Sequence, residues 1–523
     1  MRICIATTTG GYDHARVLDS AVGQALRLRG AEVEYLLCDK VLPACQMLKS
    51  DRASAEELAS GKVTPPYCSQ CIDQGVAAFS KLDFPVHRLG DYLSDADRKE
   101  VAGTVSSLGG PELRFFDWQG LPIGEHAYAG ALRYFARGDL INEELGERVL
   151  RRYLEAGLRT ALATQRLIAS RAYDVLVAHH GIYVPQGIIA ETARSAGTRV
   201  VTYNPAYRRH SFIFSHDRSY HFTMLDEPRA HWTDFDFTPA LARQNTRYLE
   251  SRRAGTNDWI WFHDRPSEDV RSILSGLGCD PDKRFVALLT SVVWDAQLHY
   301  HANAFPDMLT WLKQTIAAWK ERTDDLQLVI RVHPAEVRGA IPSRQRVTEE
   351  LAAAFPQLPR NVFVLGPEHQ ASTYALCEAA DSVIIFNTKT GVEIAARGVP
   401  VIVAGEAWIR NKGFSFDASS AEQYFELLKQ LPLRSGMAEH AQELAERYSY
   451  HFFFRRMIPL PFITTSKPGR FRINISSSEE LGPGRWPGLD TICNGILACE
   501  PFIYPAEALA DPFPGESYLE TTA

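Results

Sequence analysis

Apolar residues enter the chain at once and then change period. Arg2–Thr7 reads as a short buried strand and Thr8–Asp13 as a polar, glycine-containing loop. Ala15–Arg29 reads as a helix, with Val17, Leu18, Ala21, Ala25 and Leu28 at helical spacing. Gly30 stands where a helix-ending glycine belongs, and Val33–Cys38 supplies the next strand. The first forty residues thus spell one βαβ unit. Residues from about Glu112 to Arg171 read as mostly helical, notably Glu143–Ser170. Strand Val175–Ala178, a His-His-Gly turn, a helix near Gln186–Ser195 and strand Arg199–Tyr203 follow.

Around Glu227–Pro266 the pattern lapses into a polar stretch rich in Arg, Asp and Trp, which reads as a connector. Alternation then resumes. Strands are predicted at Phe285–Thr290, Leu326–Val332, Val362–Leu365, Ser382–Phe386 and Pro400–Ala404. Between and after them come helices at Phe305–Arg322, Gln345–Phe355, Ser372–Ala380, Gly391–Arg397, Ala421–Gln430 and Gly436–Arg447. Strands alternating with helices predict parallel sheets, so the fold class is α/β: two Rossmann-like domains facing across a cleft. The expected division is 1–265, 266–445 and a tail, 446–523, read as irregular after about Pro459. Ligands of such sheets bind beyond the carboxyl ends of the strands, which directs attention to a few loops.

Composition narrows the class without naming a function. The chain has 523 residues, 45% hydrophobic and 23% charged, and a formal net charge of −7. This excludes wholesale disorder and argues against a protein built to grip nucleic acid. No apolar run approaches the roughly 18 residues of a spanning helix, the N-terminus lacks a signal-peptide layout, and nine cysteines are too sparse for a disulfide scaffold. A cytoplasmic protein is the expectation.

In the second block, the strand ending Arg331-Val332-His333-Pro334 places Arg331 and His333 on one face near the strand's carboxyl end. Such a pair suits a phosphate, although a strand-edge salt bridge would need the same residues. Asn387-Thr388-Lys389-Thr390-Gly391 follows another strand and opens a helix containing Glu393. Small hydroxyl residues and a glycine there leave backbone N–H groups open to an anion, while ordinary N-capping is compatible with the same pattern. Glu393, unsuited to phosphate, is read as a partner for a ribose diol. Thr290 and Ser291 leave the first strand of the block and supply further donors. Trp294 and Trp408 are loop anchors or ligand contacts.

Taken in order, "RVHP", "NTKTGVEIAARGVPVIV" and "AWIRNKGF" resemble the bacterial capsule polysaccharide biosynthesis proteins and the wider GT-B glycosyltransferases that include Kdo transferases and sialyltransferases. The resemblance covers roughly residues 285–417. It implies a nucleotide-sugar donor, CMP-linked or UDP-linked, with His333 and Pro334 matching the HP motif, Asn387, Thr388 and Thr390 the Ser/Thr-rich turn, and Glu393 the helix glutamate. Lys389 departs from the small or apolar residue common at its position.

Transfer with inversion needs a base near the acceptor hydroxyl. His14, in the first strand-end loop, is the leading candidate, since many GT-B enzymes hold a histidine there; Asp19 or Asp13 could orient it. His180, in the His179-His180 pair, is the second, read as a substrate contact. Asn204–His210 reads as a basic turn or a site for an anionic acceptor. A retaining reaction would require no dedicated base.

Cys38, Cys45, Cys68 and Cys71 raise a second chemistry. Four thiolates could hold a structural zinc or an iron–sulfur cluster, or remain unbound thiols. Tyr448–Arg456, dense in aromatics, reads as a crossover anchor, or as a peripheral docking site for a lipid-linked acceptor. The expected activity is transfer of a sugar from a nucleotide sugar to a glycan or lipid-linked acceptor in surface polysaccharide synthesis, with no obligatory metal for that step, no nucleic acid and at most peripheral membrane contact. Its rivals are a polyol-phosphate transferase, a sugar-nucleotide epimerase and a non-catalytic nucleotide-sugar-binding subunit.

Overall fold

The computed structural model describes residues 1–61, 67–254, 258, 266–298, 303–322, 324–433, 437–467 and 470–509. Part of the connector, residues 255–257 and 259–265, lies outside them.

The first sheet comprises β1 (Arg2–Thr8), β2 (Glu32–Leu37), β3 (Val86–Arg88), β4 (Val175–His179), β5 (Arg199–Pro205) and β6 (Ser211–His216). The second comprises β7 (Phe285–Leu289), β8 (Gln327–Arg331), β9 (Val362–Leu365), β10 (Val383–Ile385), β11 (Val401–Val403) and β12 (Phe416–Asp417). A tail strand, β13 (Ile458–Pro459), returns to the first sheet, whose order is β13-β6-β5-β4-β1-β2-β3; the second runs β12-β11-β10-β7-β8-β9. The second sheet is parallel throughout, whereas β6 and β13 add antiparallel pairings at one edge of the first. This is the α/β class with two Rossmann-like sheets that the alternation predicts.

Sheets covered by helices on both faces bury their strands completely, and β4, β7 and β8 are buried at every position. Alternation divides β1 between two cores: Ile3 and Ile5 pack on one side, Cys4 and Ala6 on the other. Helix α1 (Asp13–Leu28) covers one face, and helices Ile123–Phe135 and Gly146–Arg171 the other.

The tail corrects the expectation of an irregular end. After helix Glu439–Tyr450 the chain passes through a π-helical turn, His451–Arg455, in which Phe452, Phe453 and Phe454 are wholly buried. That burial leaves the three phenylalanines no membrane face. β13, a hairpin of β14 (Ile463–Lys467) and β15 (Arg470–Ile473), and helix Pro487–Ala498 follow. Apolar side chains of the tail and of both sheets join in one core, which fastens the two halves together. Among the described residues no helix is long and apolar enough to cross a membrane.

Candidate functional site

The carboxyl ends of β1, β4 and β5 face those of β7, β8 and β10 across a cavity of about 1910 Å³. It is lined from both halves of the chain, with His14, His180 and Asn204 on one side and Ser291, His333 and Thr388 on the other.

On the second-sheet wall, Thr290 leaves β7 and accepts a hydrogen bond from the His333 backbone N–H at 3.0 Å. Ser291 Oγ lies 2.8 Å from Asn387 Oδ1, to which it donates. The loops after β7, β8 and β10 are therefore tied to one another before any ligand arrives. Nδ1 of His333 accepts from the Ala335 N–H at 3.1 Å, which leaves the ring proton on Nε2. Burial, and then the charges of Lys389 and Arg331, push its pKa down to about 4, so the ring is a neutral N–H donor. Thr388 and Thr390, their hydroxyls 3.4 Å apart, line the same wall.

Two members of this set do other work than expected. Arg331 is buried, and its guanidinium donates to the carbonyls of Gly366 at 2.6 Å and His369 at 3.0 Å. It braces the loop after β9 and borders the cavity; burial lowers its pKa to about 10. Glu393 departs further. It is wholly buried, does not line the cavity, and is held by Arg252, Lys389 and the Tyr374 hydroxyl. Arg252 also pairs with Asp258. A carboxylate so enclosed is kept ionised by its cations, below the usual carboxylate range to about 2, and cannot receive a ribose diol without breaking two ion pairs. Its work is to place Lys389, whose Nζ stands 4.7 Å from the centre of the Tyr207 ring across the cleft. Gly391 likewise faces inward: a Cβ there would meet Ile385 Cδ1 at 2.6 Å. Its helix, Thr390–Ala395, is only six residues long, so the threonine side chains and Lys389 carry more of the electrostatics than a helix dipole can.

On the first-sheet wall, His14 begins α1 and lines the cavity. Its Nε2 lies 3.1 Å from Nε2 of His179, which in turn is 3.0 Å from Asn204 Oδ1. The Tyr12 ring packs 4.1 Å from the His14 ring and Phe471 5.7 Å from it. Burial pushes the pKa values of His14 and His180 down to about 3, and burial with a nearby Asp295 charge leaves His221 at about 4. These imidazoles are neutral at physiological pH, as a base must be before it acts.

Asp19 does not orient His14. It is buried, accepts from Thr7 Oγ1, and burial raises its pKa to about 7. One helical turn and a half carries it around α1 to the sheet side, and Asp13 is occupied by Arg16 and the Phe471 N–H. The Asn204–His210 segment also divides: Asn204, Tyr207 and Arg209 line the cavity, whereas Arg208 is buried, stacked 4.3 Å from the Phe454 ring centre and 4.5 Å from that of Tyr248. Trp408 lines the cavity too and packs on Tyr207, Tyr220, His221 and Phe452. Trp294 borders it while donating to Ser343 Oγ.

The cysteines correct the metal expectation. Cys38, Cys45, Cys68 and Cys71 share one neighbourhood, but among the described residues no three His, Cys, Asp or Glu side chains are arranged to hold a metal ion. Burial pushes the Cys38, Cys45 and Cys68 thiols up to about 12. Cys71 Sγ instead accepts from the Gly11 N–H at 3.1 Å and props the loop that carries His14.

Sequence reasoning overlooked His179 as the partner of His14, and Tyr183, whose hydroxyl donates to Asp295 Oδ1 at 2.9 Å and accepts from the Ala296 N–H across the cleft. Strand alternation held a usable signal: His179 is the last residue of β4, paired with Tyr203 of β5, and Asn204 is the next residue of that strand.

Residues 270–448 match the sequence profile of the family described as capsule polysaccharide biosynthesis protein. A comparison with curated proteins found no match. Among solved structures the chain is similar to KpsC, a beta Kdo 2,4 transferase of Thermosulfurimonas dismutans, at 16% identity and TM-score 0.34, over 53% of this chain and 80% of that one. It is also similar to a UDP-GlcNAc 2-epimerase of Neisseria meningitidis, at 10% identity and TM-score 0.25, over 86% and 96%. A third likeness is to SsfS6, a glycosyltransferase of Streptomyces sp. SF2575, at 11% identity and TM-score 0.24, over 86% and 95%. The profile match spans the second sheet, its HP turn, the Asn387–Thr390 turn and the Trp408 loop, so that segment is similar to the capsule polysaccharide biosynthesis proteins.

Proposed function

We propose that the protein transfers a sugar from a nucleotide sugar to a glycan or lipid-linked acceptor in surface polysaccharide synthesis. The observation that carries this reading is a single cavity with a tied set of neutral and cationic donors on one wall and a hydrogen-bonded histidine pair on the other. Residues 266–445 hold the donor and residues 1–265 the acceptor, while the tail joins the two.

The donor's phosphates, CMP-linked or UDP-linked, sit against His333 Nε2–H, Ser291, Asn387, Thr388 and Thr390, with Lys389 offsetting charge on the leaving phosphate. These donors are fixed by their own hydrogen bonds, so little reorganisation accompanies charge development. His14 removes the acceptor proton. Asn204 Oδ1 only accepts, so the proton sits on His179 Nε2, which leaves His14 Nε2 unprotonated as the basic nitrogen for a hydroxyl proton, and His179 holds the ring's tautomer and tilt. His180 and His221 line the acceptor path. The anionic donor raises the His14 pKa toward the working range by charge proximity.

Thermal unfolding with CMP, UDP, GDP and TDP, for wild type and His333→Ala, tests the donor site. Ligand at 100 times its dissociation constant adds about 2.7 kcal/mol. Selective stabilisation lost in the variant is the expected result. No response to any nucleotide would overturn the proposal.

A further inference from the structure

Ten Lys and Arg side chains but only four Asp and Glu line the cavity, although the chain as a whole carries a net charge of −7. On the second-sheet side much of that positive charge is compensated: Arg252 by Asp258 and Glu393, Arg253 by Glu268 and Glu378, Lys389 by Glu393. The first-sheet side is different. Arg133 donates to the Gln46 carbonyl and lies 5.3 Å from the Tyr183 ring centre; Arg52 lies 5.0 Å from the Tyr67 ring centre and 3.5 Å from the Met47 carbonyl. Lys49 Nζ reaches the Ala340 carbonyl at 3.5 Å. All three line the cavity, and among the described residues none has a carboxylate within ion-pairing distance. Burial and then the charges of Arg133 and Arg52 hold the Lys49 ammonium below its ordinary range. Converging like charges that no ion pair neutralises, and that the more distant Asp51 charge offsets only in part, cost free energy in the empty protein, and an arriving anion recovers it.

We infer that Lys49, Arg52 and Arg133 form a subsite for an anionic group, carboxylate or phosphate, on the acceptor glycan. The inference rests on the glycosyl-transfer reading for the identity of its ligand, and it adds the acceptor's charge. The guanidinium groups, seated over the rings of Tyr67 and Tyr183, supply forked donors suited to either oxyanion, and Lys49 supplies a point charge.

Calorimetric binding of three tetrasaccharides tests it: one built of hexuronic acids, one bearing phosphates, and a neutral one. Wild type is compared with the double variant Lys49→Gln, Arg52→Gln and with the charge-retaining Lys49→Arg at low and high salt. Expected are binding of at least one anionic probe about tenfold tighter than the neutral one, loss of that preference at high salt and in the double variant, and its retention in Lys49→Arg. The order of the two anionic probes identifies the oxyanion. Equal binding of neutral and anionic probes by wild type, or a preference surviving in the double variant, would overturn the subsite. Nucleotide stabilisation is read on the same samples. A nucleotide shift without anion preference removes the subsite alone, whereas anion preference without any nucleotide shift supports the subsite and removes the glycosyl-transfer reading.

Discussion

Nε2 of His14 and Nε2 of His179 stand 3.1 Å apart although 165 residues separate them in the chain. Only one proton fits between two such nitrogens, so the rings titrate and orient as a pair. His179→Gln should therefore lower turnover and displace the pH profile while leaving nucleotide-induced stabilisation as in wild type. An unchanged profile would remove His179 from any positioning role.

His14 and His333 occupy opposite walls, and their replacements should separate cleanly. His14→Ala should lower turnover by about two to four orders of magnitude, the usual worth of a positioned base, with donor affinity nearly intact. His333→Ala should weaken donor binding first. Steady-state kinetics beside nucleotide thermal shifts distinguish the two, and full turnover in His14→Ala would move the base to His180.

Phe471 ties the tail to the same loop: its N–H donates to Asp13 Oδ2 at 2.6 Å, and its ring faces His14. Phe471→Ala should reduce turnover with little change in melting temperature, since the side chain lies on a solvent-facing hairpin at the cavity mouth. A wild-type rate in that variant would reduce the hairpin to packing.

Glu393→Gln should destabilise the fold by about 3–5 kcal/mol, the cost of leaving buried cations without their carboxylate. Arg252 and Lys389 both lose a partner, so Lys389 should also drift and weaken donor binding. Chemical denaturation measures the first effect and nucleotide titration the second.

Acid should destabilise the protein between about pH 6.5 and pH 3. His14, His180, His221 and His333 are lowered in the fold, so the unfolded chain binds more protons in that window and stability rises with pH through it. Glu393, lowered to about 2, acts in the same direction as pH falls through the carboxylate range. Asp19, raised to about 7, opposes them, its contribution fading as pH climbs from about 4 to 7. One group against five leaves the acid limb dominant. Melting temperatures across that range should fall toward low pH, less steeply in His180→Asn.

Much of this was legible in one dimension. Hydrophobic alternation found most of the parallel strands because such strands are buried on both faces and read as short apolar runs. The HP turn and Asn387–Thr390 were legible because strand-end loops carry polar residues where the sheet stops. The short edge strands β3 and β12 were missed, since two or three residues show little periodicity, and the six-residue β6 was missed as well. The tail was missed because its hairpin and helix are stable only against α1 and the first sheet, not by local pattern.

Sequence by itself determined the fold class, the two-sheet organisation and the loops that meet at the cleft, because period and turn chemistry are local properties of the chain. Tertiary structure alone decided which polar residues face solvent, ligand or each other. Glu393 and Asp19 turned inward because a six-residue helix and the sheet-facing side of α1 leave them no route to the cavity. His179 met His14 because sheet order sets distant strand ends side by side, a relation no spacing in the sequence encodes.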